Sequence, residues 1–240
     1  MNNQFTILFL IGRPAAGKSE IIRYLKNTPT PERLSTFHIG DFEEIDDFPM
    51  LWAWFEEDEI LEKMGKKRIH TDREGYFKEV WLWDLLIRRM ELEYIKKLHD
   101  SPDYEQNHTV IMEFARGAEH GGFAQAFKNF TPEILRKGAV LYLDVSFEES
   151  LRKNRKRFNP DRPHSILEHS LPDDKLIKMY KDSDWKDFSA KHKDYLEINS
   201  VTVPYVVFDN EDDVTTGGGN PLGTRLNTVL NRLWDLKKNV

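Results

Sequence analysis

Residues Gly12-Arg13-Pro14-Ala15-Ala16-Gly17-Lys18-Ser19 follow directly on the apolar run Thr6–Ile11 and lead into a stretch of helical periodicity, Ser19–Lys26. No other segment constrains the fold as tightly, because G-x-x-x-x-G-K-[ST] between a strand and a helix gives every residue type a geometric duty. The glycines let the backbone curl so that successive N–H groups point inward. The positive end of the following helix then adds to the field at a bound phosphate. Lys18 supplies charge to β- and γ-phosphates, and the Ser19 hydroxyl reaches Mg²⁺. Gly12 through Glu20 are therefore expected to hold ATP with Mg²⁺, Ser19 being the metal contact.

Further apolar runs recur along the chain at Thr36–Ile39, Thr109–Phe114, Ala139–Val145 and Val203–Phe208. Each is nearly continuous in hydrophobicity and does not alternate, the pattern of parallel strands covered by helices on both faces. An α/β fold in one domain, residues 1–240, is the expectation. Between the second and third runs lies a helical insertion, about 49–99, in which Phe77, Val80, Trp83, Ile87, Met90, Tyr94 and Leu98 recur at helix spacing. Thr71 or Asp72 is positioned to cap its long helix, and Ser101–Pro102 to end it. Ser146 and Glu149 form a capping-box pattern that opens a helix through about Arg157, followed by a polar, Pro-containing segment suited to a flap.

Composition narrows the function classes. Zero cysteines exclude disulfides, Cys-ligated zinc and thiol catalysis. A net charge of -6 argues against a nucleic-acid-coating surface. No apolar stretch approaches the roughly 20 residues that cross a bilayer, so no membrane partner is expected. The N-terminal run lacks a basic flank and a cleavage site, which reads as a strand of a cytoplasmic protein.

Two further stretches accompany the octapeptide: Leu141-Tyr-Leu-Asp144-Val-Ser-Phe-Glu148-Glu149, and Arg155-x-Arg157. Together they resemble the P-loop kinase group that contains nucleoside monophosphate kinases, deoxynucleoside kinases and the gluconate, shikimate and adenylylsulfate kinases. The resemblance implies a three-layer fold with a five-stranded parallel sheet ordered 2-3-1-4-5, and an acceptor bound over the ends of strands two and three. It also implies a lid at about 155–172 in which Arg155 and Arg157 are catalytic. Asp209–Asp213 is similar in position to the loop beside the adenine.

On the acceptor side, His38-Ile39-Gly40-Asp41-Phe42 follows the second apolar run, which places Asp41 near the carboxyl end of a strand, where ligands of open α/β sheets bind. Asp41 is the candidate base for a hydroxyl acceptor. Glu113 and Arg116 close the third strand and are read either as acceptor contacts or as an ion pair with each other. With a nucleoside monophosphate acceptor, Arg116 and Arg73 or Arg68 would clamp its phosphate. His164 and His169 lack zinc spacing. The leading expectation is ATP-dependent phosphoryl transfer to a small-molecule acceptor. The alternative is a nucleotide-dependent switch with a protein partner, for which Leu141–Asp144 would be the Walker B strand.

Overall fold

The computed structural model describes residues 3–157 and 170–240. In chain order the elements are β1 (Ile7–Gly12), α1 (Lys18–Asn27), α2 (Thr30–Phe37), β2 (Asp41–Asp46), α3 (Asp47–Lys63), α4 (Trp81–Asp100), α5 (Tyr104–Asn107) and β3 (His108–Phe114). A 3-10 turn at Ala118–His120 leads to α6 (Gly122–Lys128), α7 (Pro132–Lys137), β4 (Gly138–Asp144) and α8 (Phe147–Arg157). The remainder is α9 (Asp173–Tyr180), α10 (Trp185–Ser189), β5 (Tyr195–Ile198), β6 (Val201–Asp209), α11 (Val214–Gly217) and α12 (Gly219–Lys237).

The six strands among the described residues form one sheet, ordered β2-β3-β1-β4-β6-β5. β2, β3, β1, β4 and β6 run parallel, and β5 pairs antiparallel with β6. The expected five-stranded parallel sheet is thus corrected to six strands with an antiparallel edge. Asn199 and Ser200, both at positive φ (49° and 64°), reverse the chain between β5 and β6. A two-residue reversal of this kind permits antiparallel pairing and no crossover.

Successive residues of β1 supply opposite layers. Ile7, Phe9 and Ile11 pack with Ile87, Met90 and Tyr94 of α4 and with Phe123 and Phe127 of α6. Leu8 and Leu10 pack with Ile21, Ile22 and Leu25 of α1 and with Leu226, Leu230 and Leu233 of α12. Covering both faces explains why these strands read as unbroken apolar runs.

Two expected elements fall elsewhere. Thr36 and Phe37 end α2, a helix with Pro31 in its first turn, so the run Thr36–Ile39 is not a strand. The second strand is the acidic Asp41–Asp46 at the sheet edge. In the insertion, Trp83, Ile87, Met90 and Tyr94 are buried on α4 as the spacing requires, but the helix opens at Trp81 and not after Thr71 or Asp72. Phe77 instead bridges to Thr71 in the connecting loop. That loop is pinned by Asp58, which is wholly buried on α3. Its carboxylate accepts from the amides of Ile69 (2.5 Å), His70 (2.9 Å) and Thr71 (2.5 Å) and from the Thr71 hydroxyl (2.7 Å). No helix among the described residues is long and apolar enough to cross a membrane.

Candidate functional site

The octapeptide leaves β1 at Gly12 and enters α1 at Lys18, so the expected strand–loop–helix context is present. Gly17 caps α1 at φ 111°, a conformation that side-chain-bearing residues rarely adopt. A Cβ there would also meet Thr215 Oγ1 at 2.5 Å and Asn210 Nδ2 at 2.7 Å. Lys18 and Ser19 are the first residues of α1, and their amides have no acceptor within the helix. A backbone shaped like this fits an anionic group at a helix N-terminus. Ser19 is exposed beside it. Lys18 is buried, its ammonium turned back onto the Arg13 carbonyl at 3.1 Å and standing 3.8 Å from Glu113.

The loop is held from outside by Asn210 of the Asp209–Asp213 segment and by Ser150, Lys153 and Thr215, which no sequence pattern marks. Asn210, buried just beyond β6, donates to the Ala16 carbonyl (2.7 Å) and to Thr215 Oγ1 (2.8 Å), while the Thr215 amide donates back to Asn210 Oδ1 (3.2 Å). Lys153 donates to Thr215 Oγ1 (3.1 Å) and pairs with Asp213 (2.6 Å). Ser150 of α8 donates to the Pro14 carbonyl (2.8 Å). The Asp209–Asp213 segment thus lies against the octapeptide. Its only advance signal was its place after the last strand.

The acceptor-side reading requires a correction. Asp41 is the first residue of β2, opposite His108 at the start of β3, and therefore stands at the amino end of the parallel sheet. It is exposed, accepts from the Thr30 hydroxyl (2.9 Å) and lies 3.5 Å from Arg33. The residue at the carboxyl end is Asp46, in register with Glu113. Asp46 caps α3 by accepting from the Phe48 amide at 2.9 Å. Burial, then the carboxylates of Glu113 and Asp47, push its carboxyl up to about 8, against the Phe48 hydrogen bond and the charge of Lys18. Glu113 is raised too, first by burial, with Lys18 and Arg157 opposing and Asp47 and Glu44 reinforcing. Each of the two carboxyls, in register on neighbouring strands, thus resists ionisation, and each raises the cost of ionising the pair.

Arg116 pairs neither with Glu113 nor with solvent. It is 2% exposed, bonded to the Asp47 carboxylate, and donates to the carbonyls of Ala115 (2.7 Å) and Trp83 (3.2 Å), with its guanidinium 5.1 Å from the Trp83 ring centre. Arg68 and Arg73 both bind Glu62 far out on the insertion. The phosphate-clamp reading of these three arginines therefore loses its geometry. Of the lid candidates, Arg155 pairs with Asp173 at 2.7 Å at the start of α9, and Arg157 closes α8 within electrostatic reach of Glu113. His164, His169 and most of the expected lid lie outside the described residues. The capping box is half present: the Glu149 amide donates to Ser146 Oγ (3.1 Å), whereas the Ser146 amide turns to Glu211 (2.7 Å).

No known family's sequence pattern matches the chain, and no curated protein matches it. Among solved structures, the protein titled APE1195 is 16% identical with a TM-score of 0.39, over 99% of this chain and 97% of its own. An unliganded sugar kinase from Janibacter sp. HTCC2649 is 14% identical with a TM-score of 0.37, over 97% and 98%. Likenesses this distant carry no argument about function.

Proposed function

We propose that the protein is an ATP-dependent kinase that transfers a phosphoryl group to a hydroxyl of a small molecule. The observation that carries the reading is the convergence, at the carboxyl ends of β1, β2 and β3, of a G-x-x-x-x-G-K-[ST] loop with the Asp46–Glu113 carboxyl pair. One side fits the phosphates of a nucleoside triphosphate and the other a proton-bearing acceptor.

In this reading the backbone of Gly12–Ser19 cradles the phosphates, and Lys18 leaves the Arg13 carbonyl to neutralise them. Ser19 and Glu113 would hold Mg²⁺, directly or through water, and the ion would supply charge neutralisation at the migrating group. A hydroxyl must lose its proton as it attacks. Asp46, in its ionised form, takes the place first assigned to Asp41 and accepts that proton; Lys18 favours that form. A phosphate acceptor would need cations on this side, yet Arg116 is spent on Asp47. Arg155 and Arg157 remain proposed as cations that act on charge developing during transfer.

The test is a thermal-shift and phosphoryl-transfer screen with ATP and Mg²⁺ over nucleosides, sugars, sugar acids and nucleoside monophosphates. A hydroxyl compound should raise ADP formation sharply, and Lys18→Ala should lower that rate on the order of a hundredfold or more. Stimulation only by monophosphates, or only by a protein, would reject the reading.

A further inference from the structure

The octapeptide carries a second cation, Arg13, whose guanidinium is engaged outside the loop. It donates to the Tyr180 carbonyl and, at 3.2 Å, to the Lys181 carbonyl, at the end of α9. The last carbonyls of a helix lack intrahelical donors and carry the negative end of its dipole, so a guanidinium suits them. Arg13 Nε is buried without a partner among the described residues, which leaves it a donor for a further acceptor.

α9 meets two other parts of the molecule. It approaches the chain after β3 so closely that a Cβ on Gly117 would sit 1.8 Å from the Met179 carbonyl oxygen. Just beyond it, the Asp182 carbonyl accepts from the Ala118 amide at 3.0 Å. Its earlier turns lie on the loop between α3 and α4: the ammonium groups of Lys175 and Lys178 stand 5.1 and 4.1 Å from the Tyr76 ring centre. Lys175 also reaches the Gly75 carbonyl at 3.4 Å. One short helix therefore touches the phosphate-type loop at its end and the α3–α4 insertion along its length.

We propose that Arg13 is a positioning residue that couples nucleotide binding at Gly12–Ser19 to the order of loop 72–78 through α9. The coupling rests on the nucleotide reading of the 12–19 loop and adds to it a defined route between two sites. Phosphates arriving at the loop fix its backbone and, through Arg13, the end of α9; α9 then holds Tyr76. By linkage, ordering of loop 72–78 strengthens nucleotide binding by the same factor.

Hydrogen exchange on the full chain, with and without AMP-PNP and Mg²⁺, tests this. In the wild type the nucleotide should slow exchange about fivefold or more in both 173–182 and 72–78. Compared at AMP-PNP concentrations that saturate each protein, Arg13→Ala should lose the nucleotide-linked protection of both segments, with Arg13→Lys restoring part of it. Tyr76→Ala should keep protection at 173–182 and lose it at 72–78, a split that a general loss of stability does not produce. If Arg13→Ala fails to fold, Arg13→Lys and Tyr76→Ala decide. Unchanged protection of 72–78 in these variants, or wild-type binding without any protection there, overturns the coupling alone. No binding of AMP-PNP to the wild type overturns the nucleotide reading and the coupling with it.

Discussion

Asp46 and Glu113 face each other in register on neighbouring parallel strands, and burial drives both carboxyls away from ionisation. Lys18 stands 3.8 Å from Glu113 and draws both back toward the charged form. The pair is therefore poised between protonation states by a cation that belongs to the loop.

On the proposed phosphoryl transfer, Asp46→Asn should lower kcat by roughly 10²- to 10⁴-fold with little change in nucleotide affinity, since it would remove the proton acceptor and preserve shape. Asp41→Asn, at the opposite end of β2, should leave kcat within about twofold. Comparing the two variants on one acceptor checks the assignment; equal losses would place the base elsewhere.

The raised Asp46 carboxyl also sets a pH dependence of stability. Folded, it keeps its proton up to about 8; unfolded, it releases it near the ordinary value of about 3.9. The folded state binds more protons across that window, so this contribution is complete at acid pH and is lost as the pH rises through about 8. Asp46→Asn removes the loss. Its melting temperature should exceed the wild type's by a few degrees at about pH 9 and by less at about pH 5, as read by calorimetry.

Arg116 and Asp47 form a buried pair, so removing one partner strands a charge. Arg116→Met alone should destabilise by about 3–5 kcal/mol, while the double variant Arg116→Met/Asp47→Leu should recover much of that. Urea midpoints of both single variants and the double variant measure the coupling. Additive losses would show that the two side chains do not depend on each other.

Asn210→Ala deletes the donor to the Ala16 carbonyl and to Thr215, leaving buried groups unmatched. It should cost about 1–3 kcal/mol of stability and weaken nucleotide binding about tenfold. Gly17→Ala should be worse for binding, because φ 111° and the Thr215 hydroxyl both oppose a Cβ. Titration calorimetry with an ATP analogue checks both variants.

The 12–19 loop was readable because its conformation is local: glycine at positive φ, a lysine and a hydroxyl residue at fixed spacing, and an apolar strand before them. β3, β4 and β6 were readable for a different reason, since burial on both faces leaves an unbroken apolar run. β2 was hidden by its position. As an edge strand it carries Asp41, Glu43, Glu44 and Asp46 and a single fully buried residue, Ile45, whereas the apolar Phe37 just before it is the last residue of a helix. That displacement moved the candidate base from Asp46 to Asp41. β5 escaped because four residues of alternating pattern, closed by Asn199-Ser200, give a weaker hairpin signal than Asn-Gly. The Arg116–Asp47 pair joins residues 69 positions apart, and no local pattern announces it.

The support that Asn210 and Thr215 lend to the 12–19 loop has a consequence for the order of synthesis. β1 and the octapeptide are synthesised well before their brace: the carboxamide that holds Ala16 arrives 194 residues later, just after β6, the strand that pairs with β4. A chain cut short before Asn210 would carry the complete motif and lack its brace. The octapeptide is thus completed long after it is made, and a fragment ending before Asn210 would display the motif without the contact that holds Ala16.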